Sequence, residues 1–220
     1  MVVVVTRQIF VDTLEDKDLL ESLLKWSKTI GWRYGWKSNK HLEGSFGHWN
    51  HNLVTGDDRK NHEDVEPKLL ALDAKYAASK ELWLRIKSRF PGSRVIRAYA
   101  NQHTYGVEGY PHVDSTRDDE YTSMIYLCDT WRNEWGGETL IWDKSEDMIE
   151  AAVTPAPGRI LTFPGSRLHR ATSVSRMCPV GRIVLVYKLA GLSALPKTFS
   201  LSLGPTKSPT PTIGPSTPTF

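Results

Sequence analysis

At 220 residues, with 40% hydrophobic and 24% charged side chains, the chain has the composition of one globular domain with a sizeable core. A formal net charge of +3 and a pI near 8.8 fall short of the concentrated basic surface of a dedicated nucleic-acid binder and argue against that class. The two cysteines, Cys128 and Cys178, have no C-x-x-C spacing, which speaks against a disulfide framework and against a thiolate zinc site. The apolar start Met1 to Val5 is too short for a signal peptide, and no apolar run approaches membrane-spanning length, so the expected location is the cytoplasm.

Residues 2–5 are four valines and predict a first strand; after a polar break, Ile9-Phe10-Val11 predicts a second short apolar run. Thr13 is placed to cap a helix in which Leu14, Leu19, Leu20, Leu23, Leu24 and Ile30 recur at helical spacing, with Gly31 as its stop. Residues 31–66 are rich in Gly, Trp, Asn, His and charge and show little periodicity, as in a loop that closes over a substrate. His48-Trp49-Asn50-His51 invites a metal reading, but no carboxylate stands at ligand-like spacing. His48, His51 and His62 are therefore read as surface or loop hydrogen-bonding residues. Pro67 opens a long helical pattern with Leu69, Leu72, Tyr76, Trp83 and Ile86 on one face, broken by Pro91-Gly92.

From residue 94 the texture changes to short strands, expected near 94–101, 110–114, 121–128, 138–142, 149–153, 159–163, 167–172 and 181–188, between Gly, Pro, Asn, Asp and Ser clusters. Eight short strands with turn signals suit a double-sheet jelly roll. The expected class is α+β, mainly β: a double-stranded β-helix core over residues 94–192, with 1–93 as helical support and a substrate-side loop of the same domain. Residues 193–220 are rich in Pro, Thr and Ser and bury too little to offset their ordering entropy, so they are expected to be a disordered tail.

The chemistry gathers in the second half. On an extended strand His112 and Asp114, two apart, present an imidazole and a carboxylate on one side. His169, 55 residues beyond Asp114, is the best candidate for a third ligand. Two histidines and one carboxylate with the remaining positions open are the ligand set of non-haem Fe(II) oxygenases. Alone, H-x-D is more often a surface hydrogen-bonding pair.

The context narrows the choice. The run Tyr121 to Trp142, then Pro157-Gly158-Arg159 to Phe163, His169 and finally Arg182 to Lys188, taken in order, resembles the 2-oxoglutarate- and Fe(II)-dependent dioxygenase superfamily, in its prolyl-4-hydroxylase-like branch. The resemblance covers roughly residues 94–190. It implies that His112, Asp114 and His169 bind Fe(II), with 2-oxoglutarate and O2 as cosubstrates. It also implies that Arg182 grips the far carboxylate of 2-oxoglutarate, as a guanidinium does through two parallel hydrogen bonds. Arg176 is the alternative for that role. Tyr126 resembles the family tyrosine that reaches the same carboxylate, with Tyr99 and Thr139 as further cosubstrate candidates, while Trp131, Trp135 and Trp142 are candidates for shaping a substrate pocket.

The implied reaction is hydroxylation of an unactivated carbon, at a prolyl-type peptide site or in a small amino-acid-like molecule. Retention of Asp114 argues against halogenation. Two other readings stay open: an AlkB-type oxidative nucleic-acid demethylase, because Arg182 and Lys188 lie six apart on one strand face, and a non-catalytic jelly-roll binding module. Against the first, the polar residues those enzymes keep between the two basic ones are Val184 and Val186 here.

Overall fold

The computed structural model describes residues 8–38, 46–56 and 62–192. Among these the order is β1 (Phe10–Thr13), α1 (Lys17–Thr29), β2 (Arg33–Trp36), β3 (His48–Thr55), α2 (Glu66–Leu70), α3 (Ala77–Arg89), β4 (Arg94–His103), β5 (Tyr121–Tyr126), β6 (Thr139–Trp142), β7 (Ile149–Val153), β8 (Arg159–Pro164), β9 (His169–Ala171) and β10 (Arg182–Ala190). A seven-stranded sheet runs β1-β8-β5-β10-β4-β3-β2, and a three-stranded sheet runs β7-β6-β9, with every strand pairing antiparallel. The fold is mainly β, a jelly roll with helices on one side.

Strand β10 shows how sequence parity builds both cores. Leu185, Tyr187 and Leu189 point outward and pack with Leu23, Leu82, Trp83 and Ile86 of α1 and α3. The Tyr187 hydroxyl donates to the carbonyl of Ser79 at 2.5 Å, and its ring lies 5.9 Å from that of Trp83. Each fully buried large apolar side chain here contributes roughly 1.5–3 kcal/mol. The alternate residues Val184 and Val186 face the other way, into a second cluster with Tyr99, Met124, Tyr126, Ile141, Leu161 and Phe163. Arg182 and Lys188 share that inner parity, so a strand that supplies two cores also carries a cation at each end of the inner face.

Several expectations need correction. Thr13 does not cap α1, because it ends β1 in register with Arg159; Asp16 takes that role, its carboxylate accepting from the Leu19 amide at 2.9 Å. The long helix from Pro67 is interrupted: α2 stops at Leu70, and a single 3-10 turn at Ala74–Tyr76 leads into α3. The apparent loop 31–66 contains β2 and β3, which extend the large sheet beyond β4. The segment 110–114 is not a strand. Pro111 offers no amide, and the amides of Asp114 and Ser115 both turn to the carbonyl of Gly165, leaving only a lone pairing of His112 with His169. The expected strand at 2–5 and tail at 193–220 lie outside the described residues. No helix among the described residues is long and apolar enough to cross a membrane.

Candidate metal and cosubstrate site

The two histidines are brought together by main chain before any ligand is considered. His112 donates its amide to the carbonyl of His169 at 3.1 Å, and His169 returns the bond to His112 at 3.0 Å. Across such a pair side chains are neighbours, and the two imidazole centroids are 4.4 Å apart. Asp114, fixed through its amide to Gly165 at 2.8 Å, completes the cluster, and one ligand atom from each residue lies within 4.8 Å of the others.

Protonation follows from the partners. Nδ1 of His112 lies 2.7 Å from the carbonyl oxygen of Tyr110, and Nδ1 of His169 lies 2.8 Å from that of Arg167. A carbonyl only accepts, so each Nδ1 carries the hydrogen. In the neutral rings the Nε2 lone pairs then face the Asp114 carboxylate, at 3.5 Å for His112 and 3.3 Å for His169. Burial holds His169 below the ordinary imidazole value, against the pull of Asp114. For Asp114, burial favours the neutral acid, but Lys188 and His169 outweigh it and keep the carboxyl well below the usual range. Two imidazole Nε2 atoms and a carboxylate converging on one point suit a cation. The backbone bonds at Nδ1 are the outer contacts that fix the tautomer of a metal-bound histidine. On this donor chemistry the residues fit a ferrous ion.

The rest of the Asp114 carboxylate is held by the sheet. Oδ2 accepts from Thr122 Oγ1 at 2.6 Å and pairs with the Lys188 ammonium, which also donates to Thr122 Oγ1 at 2.9 Å. Lys188 and Thr122 are directly opposed in the β10–β5 register, so both project from adjacent strands into the same spot.

A cavity of about 450 Å³ extends from this cluster along the inner face of β10 to Arg182. Arg182 is 2% exposed, and among the described residues no carboxylate lies within ion-pair distance of it. Its guanidinium is fixed instead by neutral acceptors: Nε donates to the Gly137 carbonyl at 2.6 Å, a terminal nitrogen donates to Thr139 Oγ1 at 2.8 Å, and the group lies 5.1 Å from the centroid of the Tyr126 ring. The Tyr126 hydroxyl is 2.6 Å from Thr139 Oγ1 and donates to the Val153 carbonyl at 3.1 Å. Gly137 has φ +81°, and a Cβ there would meet Arg182 Cδ at 3.2 Å, so the bend at Gly136-Gly137 needs glycine to let the arginine through. A buried cation without a protein anion is costly unless an anionic ligand meets it.

The structure thus gathers His112, Asp114 and His169 at one place, and Arg182 and Thr139 at another along the same cavity; Tyr126 does not line it but lies buried behind them, with its hydroxyl against Thr139. Tyr99 lines the cavity but belongs nearer Lys188, with the Arg97 guanidinium 4.2 Å and the Lys188 ammonium 5.9 Å from its ring. Arg176 is an exposed group bonded to the Tyr105 hydroxyl at 3.3 Å, away from the cavity. Neither Trp131 nor Trp142 lines the cavity: the Trp131 indole donates to Gly136 and packs edge-on against Trp135, while the Trp142 carbonyl accepts from Arg167. The tryptophan on the cavity is Trp36, with Arg97 4.6 Å from its ring.

Sequence reasoning passed over Thr122, His48 and His103 as site residues. It noted Lys188 only as the second basic residue on the Arg182 face, not as a partner of Asp114. His48 is buried at 1% exposure, contrary to its reading as a surface or loop residue, whereas His51 does serve as a hydrogen-bonding residue, between the Gly31 carbonyl and the Tyr76 hydroxyl.

A jelly roll with two histidines and an aspartate at one end of its cavity, and a buried arginine at the other, offers a donor set that fits a ferrous ion and a cation that fits an anionic ligand. Over residues 98–187 the chain matches the family model described as the 2OG-Fe(II) oxygenase superfamily. It is an Fe(II)- and 2-oxoglutarate-dependent dioxygenase, with O2 as second cosubstrate. No curated protein matches it. Among solved structures, a Pseudomonas putida prolyl-4-hydroxylase is similar at 17% identity and a TM-score of 0.56, over 84% of this chain and 92% of that one. A Burkholderia pseudomallei oxidoreductase of the 2OG-Fe(II) oxygenase family is similar at 14% identity and a TM-score of 0.55, over 83% and 85%. A Trichoplax adhaerens prolyl hydroxylase, solved with a peptide fragment of the hypoxia inducible factor oxygen degradation domain, is similar at 15% identity and a TM-score of 0.55, over 84% of each chain. At these identities the likeness carries the fold, here that of the prolyl hydroxylases.

Proposed function

We propose that His112, Asp114 and His169 hold the ferrous ion, that Arg182 with Thr139 and Tyr126 holds the far carboxylate of 2-oxoglutarate, and that the enzyme hydroxylates a prolyl-type peptide site or a small amino-acid-like molecule. The observation that carries the reading is the convergence of two Nε2 lone pairs and a carboxylate in a cavity whose far end is a buried arginine with no carboxylate in ion-pair range among the described residues. Bound together, iron, 2-oxoglutarate and O2 supply the oxidant: one oxygen atom enters the substrate carbon–hydrogen bond as hydroxyl, the other enters succinate, and carbon dioxide leaves.

The chain's own part is placement. The Tyr110 and Arg167 carbonyls hold the two imidazoles in the ligating tautomer, and Thr122 and Lys188 hold one oxygen of Asp114 so that the carboxylate cannot rotate freely. Val184, Val186 and Phe163 give the inner wall an apolar surface that limits water near the reacting carbon. The prolyl-type reading draws support from the prolyl hydroxylases that share the fold, one of them solved with a peptide.

The test is anaerobic loading with Fe(II), then 2-oxoglutarate and O2, with succinate and substrate mass followed for proline-containing peptides, free amino acids and methylated oligonucleotides. Succinate formation stimulated by a peptide or amino acid that gains one oxygen atom is the expected result. Stimulation confined to the oligonucleotide, with loss of its methyl group, would replace the proposal with nucleic-acid demethylation.

A further inference from the structure

Beside Arg182 the cavity wall carries a second buried polar group that the proposed scheme leaves unused. His103, the last residue of β4, is directly opposed to Arg182 in the β10–β4 register and is 4% exposed. Its Nδ1 lies 3.5 Å from a terminal nitrogen of Arg182. Guanidinium nitrogens only donate, so Nδ1 is the acceptor and the ring hydrogen sits on Nε2. Burial, reinforced by the positive charge of Arg182, holds His103 far below the ordinary imidazole value, so the ring is neutral. Its Nε2–H has no hydrogen-bond partner among the described residues, although His103 lines the cavity. A buried donor left unsatisfied costs on the order of 1–3 kcal/mol, which makes an accidental one an exception to be explained.

The neighbouring side chain fixes the ring. His48 of β3 packs edge-on against it, with centroids 4.8 Å apart and planes at 77°. His48 is itself pushed down to about 4, by burial before any other cause, so no second cation forms beside Arg182. A neutral donor is thus presented next to a fixed guanidinium, while Thr139 and Gly137 occupy the guanidinium's other sides.

We infer that His103 is a further contact to the cosubstrate, donating its Nε2–H to the same distal carboxylate that Arg182 binds, with His48 as its packing support. The inference rests on the reading of Arg182 as the anchor of that carboxylate. It makes the site a composite of one charged and one neutral donor from adjacent strands, selecting a dicarboxylic 2-oxo acid over a monocarboxylic one.

The experiment compares two ligands that differ only at that end. Binding of 2-oxoglutarate and of 2-oxopentanoate, the five-carbon 2-oxo acid without a distal carboxylate, is measured by calorimetry on the full chain loaded with Mn(II), without O2. His103→Phe keeps an aromatic ring and removes the donor; it is expected to weaken 2-oxoglutarate about tenfold, the size of one hydrogen bond to a charged group, and to leave 2-oxopentanoate unchanged. His103→Gln places an amide N–H near the Nε2 position and is expected to stay within about threefold of the parent for both ligands, by the same scale. Should the phenylalanine variant fail to fold, His103→Asn, whose shorter amide withdraws the donor, takes its place with the same expectation. Equal losses for both ligands, no loss for 2-oxoglutarate, or a glutamine variant as weak as phenylalanine would overturn the inference and leave Arg182 untouched. A parent protein that binds both ligands equally would overturn the Arg182 reading itself.

Discussion

Replacing His112 by alanine is expected to remove iron from the protein and to reduce 2-oxoglutarate turnover well beyond the roughly 10–100-fold that follows from changing a hydrogen-bond partner of a metal-bound histidine. His112 is the cleanest of the three positions to test. His169 is enclosed at 6% exposure and contacts the Phe163 ring at 4.7 Å, so truncating it also opens the core. Asp114 is the carboxylate partner of Lys188, whose side chain is only 13% exposed, and its loss would strand a nearly buried ammonium. His112 is partly exposed, and its ring touches the site rather than the packed interior. Iron per chain by elemental analysis and succinate release should fall together in His112→Ala, with the thermal transition of the metal-free protein close to that of the parent. Full iron content with lost turnover would show that His112 serves the reaction without binding the metal.

The second large effect is expected at Arg182. Arg182→Met, which keeps most of the volume, removes two or more hydrogen bonds to a carboxylate at roughly 1.5–3 kcal/mol each, so the KM for 2-oxoglutarate should rise at least about a hundredfold. Arg182→Lys should recover part of this, because it restores charge without the planar fork. Iron content should change little in either variant, since Arg182 lies at the other end of the cavity from the His–Asp–His cluster. Loss of iron in Arg182→Met with normal folding would contradict the assignment of Arg182 to the cosubstrate.

What the sequence revealed, and what it concealed, follow from one property of strands. Where the inner face of a strand is apolar, as along β10 and β5, hydrophobic content marks the strand, and most of β4 to β10 is legible within a few residues. Where the inner face is polar the signal disappears. In β3 the inward positions near the cavity are His48 and Asn50, both buried, and a register shift between Asn52 and Val54 breaks the alternation, so a central part of the sheet resembles a loop. The same blindness hid His103, which is polar although it faces the cavity rather than water. Lys188 was placed on the face of Arg182 by parity, but its pairing with Asp114 joins residues 74 apart and has no local signal.

The His–Asp–His cluster was legible for a different reason. H-x-D followed at long range by one histidine is a pattern of residue types, so it survives even though the segment around His112 is not the extended strand that the spacing suggests. Local geometry supplied by Pro111 and the carbonyl of Gly165 does the work that strand alternation was expected to do. The tryptophans show the converse. Trp131 and Trp142 sit close in sequence to site residues but off the cavity, while Trp36, distant in sequence, reaches it through β2. Proximity along the chain says little once sheets bring separate strands together.

The most direct measurement is an anomalous-scattering map at the iron edge from crystals grown and loaded with Fe(II) without O2. One strong peak bounded by Nε2 of His112, Nε2 of His169 and the carboxylate of Asp114 is the expected result. A peak bound by other side chains, or none at this cluster in protein that turns over 2-oxoglutarate, would contradict it.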